Sequence, residues 1–270
     1  MIVGIDFGIT NTDIAISNKD DVRFFTIPTK KISDDFLLEI FNFIKLDINQ
    51  VKKIAVTGGK SSDLSDSFKD IPIIKVNEVN AIGFGAIDLY SIDDKPFVAI
   101  STGTGTACIY HSDKKFNHLG GISIGGGTLQ GLSNYIINTS ESSQIEELAA
   151  SGKRESLDLL IGEAVNEIGS LYPEITASNF VKAKNTKKHS SEDLAASLSN
   201  MVGEVIGTIS YLNAMICGLD EVYFIGRTTL NKSIRIGIED RLKLANVKGS
   251  FAVNREYGNV LGALKFIKEK

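Results

Sequence analysis

The stretch Met1-Ile2-Val3-Gly4-Ile5-Asp6-Phe7-Gly8-Ile9-Thr10-Asn11-Thr12-Asp13 decides the fold. Its apolar run over 2–5 is stopped by Asp6, Gly8 and Thr10, and segments 13–17 and 22–27 then alternate as two further strands, so a hairpin sheet opens the chain. Ser33 is placed to cap a helix to about Ile44, in which Phe36, Leu37, Ile40, Phe41 and Ile44 recur at helical spacing. Short strands follow at 54–57 and 73–76, the second feeding a helix over 77–87. Strands alternating with helices predict an α/β unit whose strand ends carry ligand-facing loops. The layout then recurs: an apolar strand over 97–101 runs into Thr102-Gly103-Thr104-Gly105-Thr106, and a strand returns through about Tyr110. Beyond it, the glycine-rich segment 120–132 leads into a helix ending near Ile137, and helices are expected at 145–150 and 157–168. Over 191–217, Leu194, Leu198, Met201, Val202, Val205, Ile209, Leu212 and Ile216 keep helical spacing, a stripe that serves either the core or a dimer seam. A strand over 222–225 ends at Gly226, helices are expected at 232–244 and 258–268, and 184–191 reads as an exposed loop. The expected organisation is one unit over 1–94 and a second over 95–256 with a helical insertion, the last helix within 257–270 returning to the first.

With 270 residues and 43% hydrophobic content the chain is long enough for one sizeable core or two smaller ones sharing a cleft. A formal charge of −4 offers no basic field for a nucleic-acid backbone, which leaves small molecules as the expected partners. No run approaches the roughly 18 apolar residues of a membrane span and the start reads as a strand, so a cytoplasmic protein is expected. Cys108 and Cys217 lie in separate apolar runs, as reduced buried thiols do, and His111, His118 and His189 share no metal-ligand spacing. There is no GxSxG elbow and no cysteine with a recognisable activating neighbour.

Gly, Thr and Asp gather at strand ends: Asp6 with Gly8, Ile9, Thr10 and Asn11, then 101–106, then Gly125-Gly126-Gly127-Thr128, then Gly226. Glycine lets backbone N–H groups approach an anion, and threonine hydroxyls add donors, so the set suits phosphate; singly, each glycine could equally just make a turn. Asp6 repels phosphate and is better suited to holding Mg²⁺, through water, opposite the phosphates of ATP. Neither GxxxxGK[ST] nor GxGxxG is present. Glu78, where strand 73–76 gives way to a helix, can face the cleft as acceptor of a hydroxyl proton. An acid in a helix's first turn is also favoured by the helix dipole without any catalytic role.

Together, MIVGIDFGITNT at the start, NEVNAIGFGA around Glu78, STGTGTA, GGISIGGGTLQGL, ITASNF, SEDLAASLSNMVGEVIGTIS, VYFIG and EYGNVLGALKF resemble the type II pantothenate kinases over nearly the whole chain. The resemblance implies an α/β protein of two actin-like (ribonuclease H-like) domains, mixed sheets flanked by helices, with an ATP cleft between them. It also implies a homodimer, and transfer of the γ-phosphate of ATP to the hydroxyl of pantothenate as the first step toward coenzyme A. By position it places Glu78 as the catalytic base, Asp6 to Asp13 in the first phosphate loop, Thr104 near phosphate and substrate, Gly126, Gly127, Thr128 and Gln130 in the second nucleotide loop, and Ala177 near the acceptor. Ile9 and Asp13 stand where the family usually has a glycine and a lysine, His118 where it has an arginine facing substrate and phosphate, and Arg227 where it has a small residue. Arg227 is placed to restore the charge lost at position 13. A kinase for another hydroxyl compound, and a nucleotide-binding regulatory paralogue, are the alternatives these departures open.

Overall fold

The computed structural model describes residues 1–18, 21–92, 95–166, 172–185 and 189–269. The first sheet has six strands in the order β3-β2-β1-β4-β6-β5, with β1 (Ile2–Phe7), β2 (Asn11–Asn18), β3 (Asp21–Pro28), β4 (Lys53–Thr57), β5 (Ser67–Phe68) and β6 (Ile71–Lys75). Strands β1 to β3 are antiparallel neighbours, whereas β4 and β6 run parallel to β1. Helix α1 (Asp34–Phe43) bridges β3 and β4, and the Ser33 side chain accepts from the Phe36 N–H at its N-terminus. Helix α2 (Glu78–Tyr90) is started by Asn77, whose side chain accepts from the Asn80 N–H. Both caps satisfy amide groups that a helix's first turn leaves open.

The second sheet repeats the pattern. β7 (Phe97–Thr102), β8 (Thr106–Ser112) and β9 (Lys115–Ile122) are antiparallel neighbours, and β12 (Glu221–Ile225) and β13 (Lys248–Phe251) run parallel to β7 in the order β13-β12-β7-β8-β9. Three antiparallel strands followed by parallel ones on the other side of the first is the ribonuclease H-like arrangement, made twice. Between β9 and β12 lie α3 (Gly126–Ile137), α4 (Ser142–Ser151), the two-residue β10 (Leu159–Leu160), the single turn α5 (Ile161–Ala164), β11 (Thr176–Ser178) and the 26-residue α6 (Ser191–Ile216). Helix α7 (Lys232–Leu244) packs on α6, and α8 (Gly258–Glu269) crosses to the first sheet, where Val260 and Leu264 are buried against Ala15.

Several expectations are corrected. The helix expected at 157–168 is reduced to β10 and the single turn α5, its last two positions lying outside the described residues. Asp158 diverts the chain there: it is fully buried, accepts from the Phe180 N–H at 2.9 Å and from the Ser197 hydroxyl, and so ties this segment to the chain just after β11 and to α6. β9 and β13 escaped detection because Lys115–Ile122 and Lys248–Phe251 have little apolar alternation and contain glycine. Cys108 is buried, but Cys217, at the end of α6, is only half-buried. Positions 94 and 186–188, in the expected unit boundary and exposed loop, lie outside the described residues. Among the described residues no helix is long and apolar enough to cross a membrane.

Candidate active site

The two sheets face a cavity of about 720 Å³, within the range of ~300–1,000 Å³ common for ligand pockets. Its floor is set by register. Asp6 of β1 pairs with Asp13 of β2, and Asp13 with Thr26 of β3, so the three side chains form a row on one face of the first sheet. Burial, reinforced by Asp13 opposite and by Glu78, pushes the Asp6 carboxyl up to about 7, against a hydrogen bond from Asn259. Burial also raises the Asp13 carboxyl, opposed by Thr26 and Arg227. Asp13 does not sit in the phosphate loop: it is buried within β2, and its Oδ1 accepts from the Thr26 hydroxyl and Arg227 Nη2, both at 2.6 Å.

The walls are the glycine loops. The Thr10 and Thr104 hydroxyls lie 3.3 Å apart, joining the β1–β2 turn to the β7–β8 turn. The Gly126 N–H donates to Gly103 O at 2.9 Å and the Gly127 N–H to Thr104 O at 3.1 Å. A Cβ on Gly125 would come within 2.7 Å of Thr104 O, so the two loops interlock at a separation that only glycine permits. The Gly103, Gly126 and Gly127 amides, expected to face phosphate, are thereby committed to loop carbonyls, whereas the Ile9, Thr104 and Gly105 N–H groups donate to no carbonyl among the described residues. The Thr128 hydroxyl is likewise used internally: it donates to Ser123 O at 3.0 Å and accepts from the Gly125 N–H. Gln130 lines the far end with Ser142, to which its amide donates at 3.0 Å.

Glu78 lines the cavity from the first residue of α2, and its carboxylate has no ion pair or hydrogen bond among the described residues. Gly8, Ile9, Thr10, Asn11, Thr104, Gly126, Gly127 and Arg227 line the same space. His118 on β9 and Ala177 on β11 are exposed and do not line it. Sequence reasoning missed Glu146, Glu256 and Asn259, which lie in or beside helices rather than at the strand ends where the glycine loops gather. Of the charged residues lining the cavity, Asp6, Asp13, Glu78, Glu146 and Glu256 are acidic and, among the described residues, Arg227 alone is basic. No group of three or more His, Cys, Asp or Glu among the described residues is arranged to hold a metal unaided. Such a donor set fits Mg²⁺ arriving with phosphates, since that ion keeps several waters and takes one or two protein carboxylates.

A family model described as Fumble matches residues 88–238. The type II pantothenate kinase of Bacillus thuringiensis subsp. konkukian is 32% identical over 238 residues, spanning 85% of this chain and 83% of that protein. The chain belongs to the type II pantothenate kinase family. A second member of that family, from Bacillus anthracis, is 31% identical over 99% of this chain and 98% of its own length, and one from Staphylococcus haemolyticus is 28% identical over 98% and 99%. Solved structures agree on the actin-like fold. The activator of the 2-hydroxyisocaproyl-CoA dehydratase from Clostridium difficile with bound ADPNP superposes with a TM-score of 0.66 at 16% identity, covering 98% of this chain and 93% of that one. A ROK family glucokinase from Streptomyces griseus, in complex with glucose and AMPPNP, gives 0.63 at 9%, covering 100% and 99%.

Proposed function

We propose that this type II pantothenate kinase family member transfers the γ-phosphoryl group of ATP to the terminal hydroxyl of pantothenate. The observation that carries the chemistry is the unpaired Glu78 carboxylate beside Asp6, in a cavity walled by two phosphate-type loops. The acceptor is assigned from the family. The acceptor oxygen attacks the γ-phosphorus, its proton passes to Glu78, and ADP leaves; positioning and electrostatic stabilisation supply most of the rate gain. Thr104 is placed to touch both the phosphates and the acceptor. The open amides of Ile9, Thr104 and Gly105, together with Arg227, are the proposed phosphate contacts. Asp6, with Glu78 nearby, would hold Mg²⁺ through water, and the ion would supply charge neutralisation on the phosphates. A homodimer is proposed through the outer face of α6, where Val205, Leu212, Met215 and Ile216 are exposed.

Coupled ADP release by the purified protein, with Mg²⁺ and ATP and with or without pantothenate, tests the assignment. Pantothenate-dependent release is expected. Glu78→Gln should lower turnover by roughly 10²- to 10⁴-fold while nucleotide affinity stays within a few-fold. Release with other hydroxyl acceptors but not pantothenate would move the chain to a related kinase activity. Tight nucleotide binding without turnover on any acceptor would make it a binding protein.

A further inference from the structure

Arg227 follows Gly226, which leaves β12 with φ +96°, and its side chain crosses from the second sheet to the first. Its bonds there are one-sided. Nη2 donates to Asp13 Oδ1 at 2.6 Å and to the Thr26 hydroxyl at 3.0 Å, whereas Nε and Nη1 have no hydrogen-bond partner among the described residues. The guanidinium carbon lies 5.7 Å from the centre of the Tyr257 ring, and that ring stacks on Phe24 with centroids 4.4 Å apart. Nη2 is therefore fixed by the first sheet, one flank is set by an anchored ring, and the N–H groups of Nε and Nη1 are left on a side chain that lines the cavity.

Asp13 has the opposite character. It is a carboxylate placed directly across the strand pair from a second carboxyl group, Asp6, and ionising both costs stability unless a cation intervenes. It cannot hold phosphate, and its Oδ1 is already occupied by two donors. The Thr26 hydroxyl touches Asp13, Arg227 and the Tyr257 hydroxyl, the last at 3.4 Å, so these residues form one connected group between the two sheets.

We infer that Asp13 is a positioning residue: it draws Arg227, the one basic side chain among the described residues lining the cavity, across the cleft and fixes it at Nη2, leaving its Nη1 and Nε donors for the nucleotide phosphates. The inference deepens the nucleotide site and rests on the kinase assignment above. A guanidinium held at Nη2 keeps its charge and the N–H groups of Nη1 and Nε for single charge-assisted hydrogen bonds to phosphate oxygens. In a cavity with five carboxylates, a lone cation left free to swing would pair with whichever acid it met, so fixing it determines where the phosphates go.

Calorimetric titration of the full chain with Mg·AMPPNP and with adenosine separates phosphate recognition from base recognition and needs no acceptor. Arg227→Ala should weaken Mg·AMPPNP binding by about 100-fold and Asp13→Asn by about tenfold, the range expected for losing a charged hydrogen bond or its alignment. Adenosine affinity should stay within about twofold in both, and the double variant should bind Mg·AMPPNP within about threefold of Arg227→Ala alone, because Asp13 acts through Arg227. If Asp13→Asn does not fold, Thr26→Val, which removes the hydroxyl shared by the pair, should show the same selectivity with a loss of about threefold. Unchanged Mg·AMPPNP affinity in Asp13→Asn or its substitute overturns the inference, as do equal losses for both ligands or effects that add in full. A wild-type chain that binds no Mg·AMPPNP removes the nucleotide assignment itself along with it.

Discussion

Asp6→Asn tests the electrostatics of the cleft floor. Folded Asp6 titrates near 7 against an ordinary 3.8, so between those values the folded state holds a proton that the unfolded chain has released. Stability from this group is therefore fully present below about pH 4 and is lost as pH rises through 7, at roughly 1.4 kcal/mol per pH unit. From pH 5 to pH 8 two such units are crossed, so the wild type should lose about 3 kcal/mol that Asp6→Asn, with no charge to bury, does not lose. The difference should read as roughly 5–10 °C in relative Tm for a chain of this size. Thermal melts of both proteins at half-unit steps over this range, without ligand, provide the measurement. The two should melt together only below about pH 4; at pH 5 the variant should already be the more stable, and by about 3 kcal/mol more at pH 8. Adding Mg·ADP at pH 8 should close the gap from the wild-type side, because a cation near Asp6 favours the ionised carboxylate. Parallel pH profiles would refute the assignment of Asp6 as a desolvated carboxyl facing Asp13.

Further outcomes follow from other contacts. Glu204 of α6 is buried and pairs with Arg241 of α7 at 3.0 Å while accepting from the Asn179 amide at 3.1 Å, so Glu204→Ala leaves the half-buried Arg241 with only Thr176 O and should cost about 2–3 kcal/mol in denaturant unfolding. Gly226→Ala places a methyl 2.3 Å from Thr102 O at a positive φ, and should lower both Tm and nucleotide affinity because Arg227 is displaced with it; unchanged melting would contradict the close approach of β12 and β7. If the exposed face of α6 is a dimer seam, Ile216→Asp should shift sedimentation to the monomer without lowering the monomer's Tm, since that side chain is 81% exposed.

Much of the architecture was legible in the sequence because the opening hairpin, the recurrence of strand, glycine turn and strand at 97–110, and the long apolar stripe of α6 are local periodicities. Burial of one face imposes those periodicities on the chain itself. The positions of Glu78 and of both glycine loops could also be read, since strand ends and helix starts carry their own residue preferences. β9, β13 and the path around Asp158 were not legible: glycine-bearing edge strands have weak patterns, and Asp158 owes its burial to Phe180 and Ser197, distant in the chain.

Asp13 shows the division most clearly. The sequence by itself determined that an anion stands after the first turn and an arginine after Gly226, 214 positions apart. Only the tertiary structure decided that they meet at 2.6 Å, that the amides of Gly126 and Gly127 are used by neighbouring loops, and that His118 and Ala177 stand away from the cavity. Propensity and periodicity act over a few residues, whereas a side chain's partner depends on how two sheets are set against each other, and no local pattern in the chain encodes that.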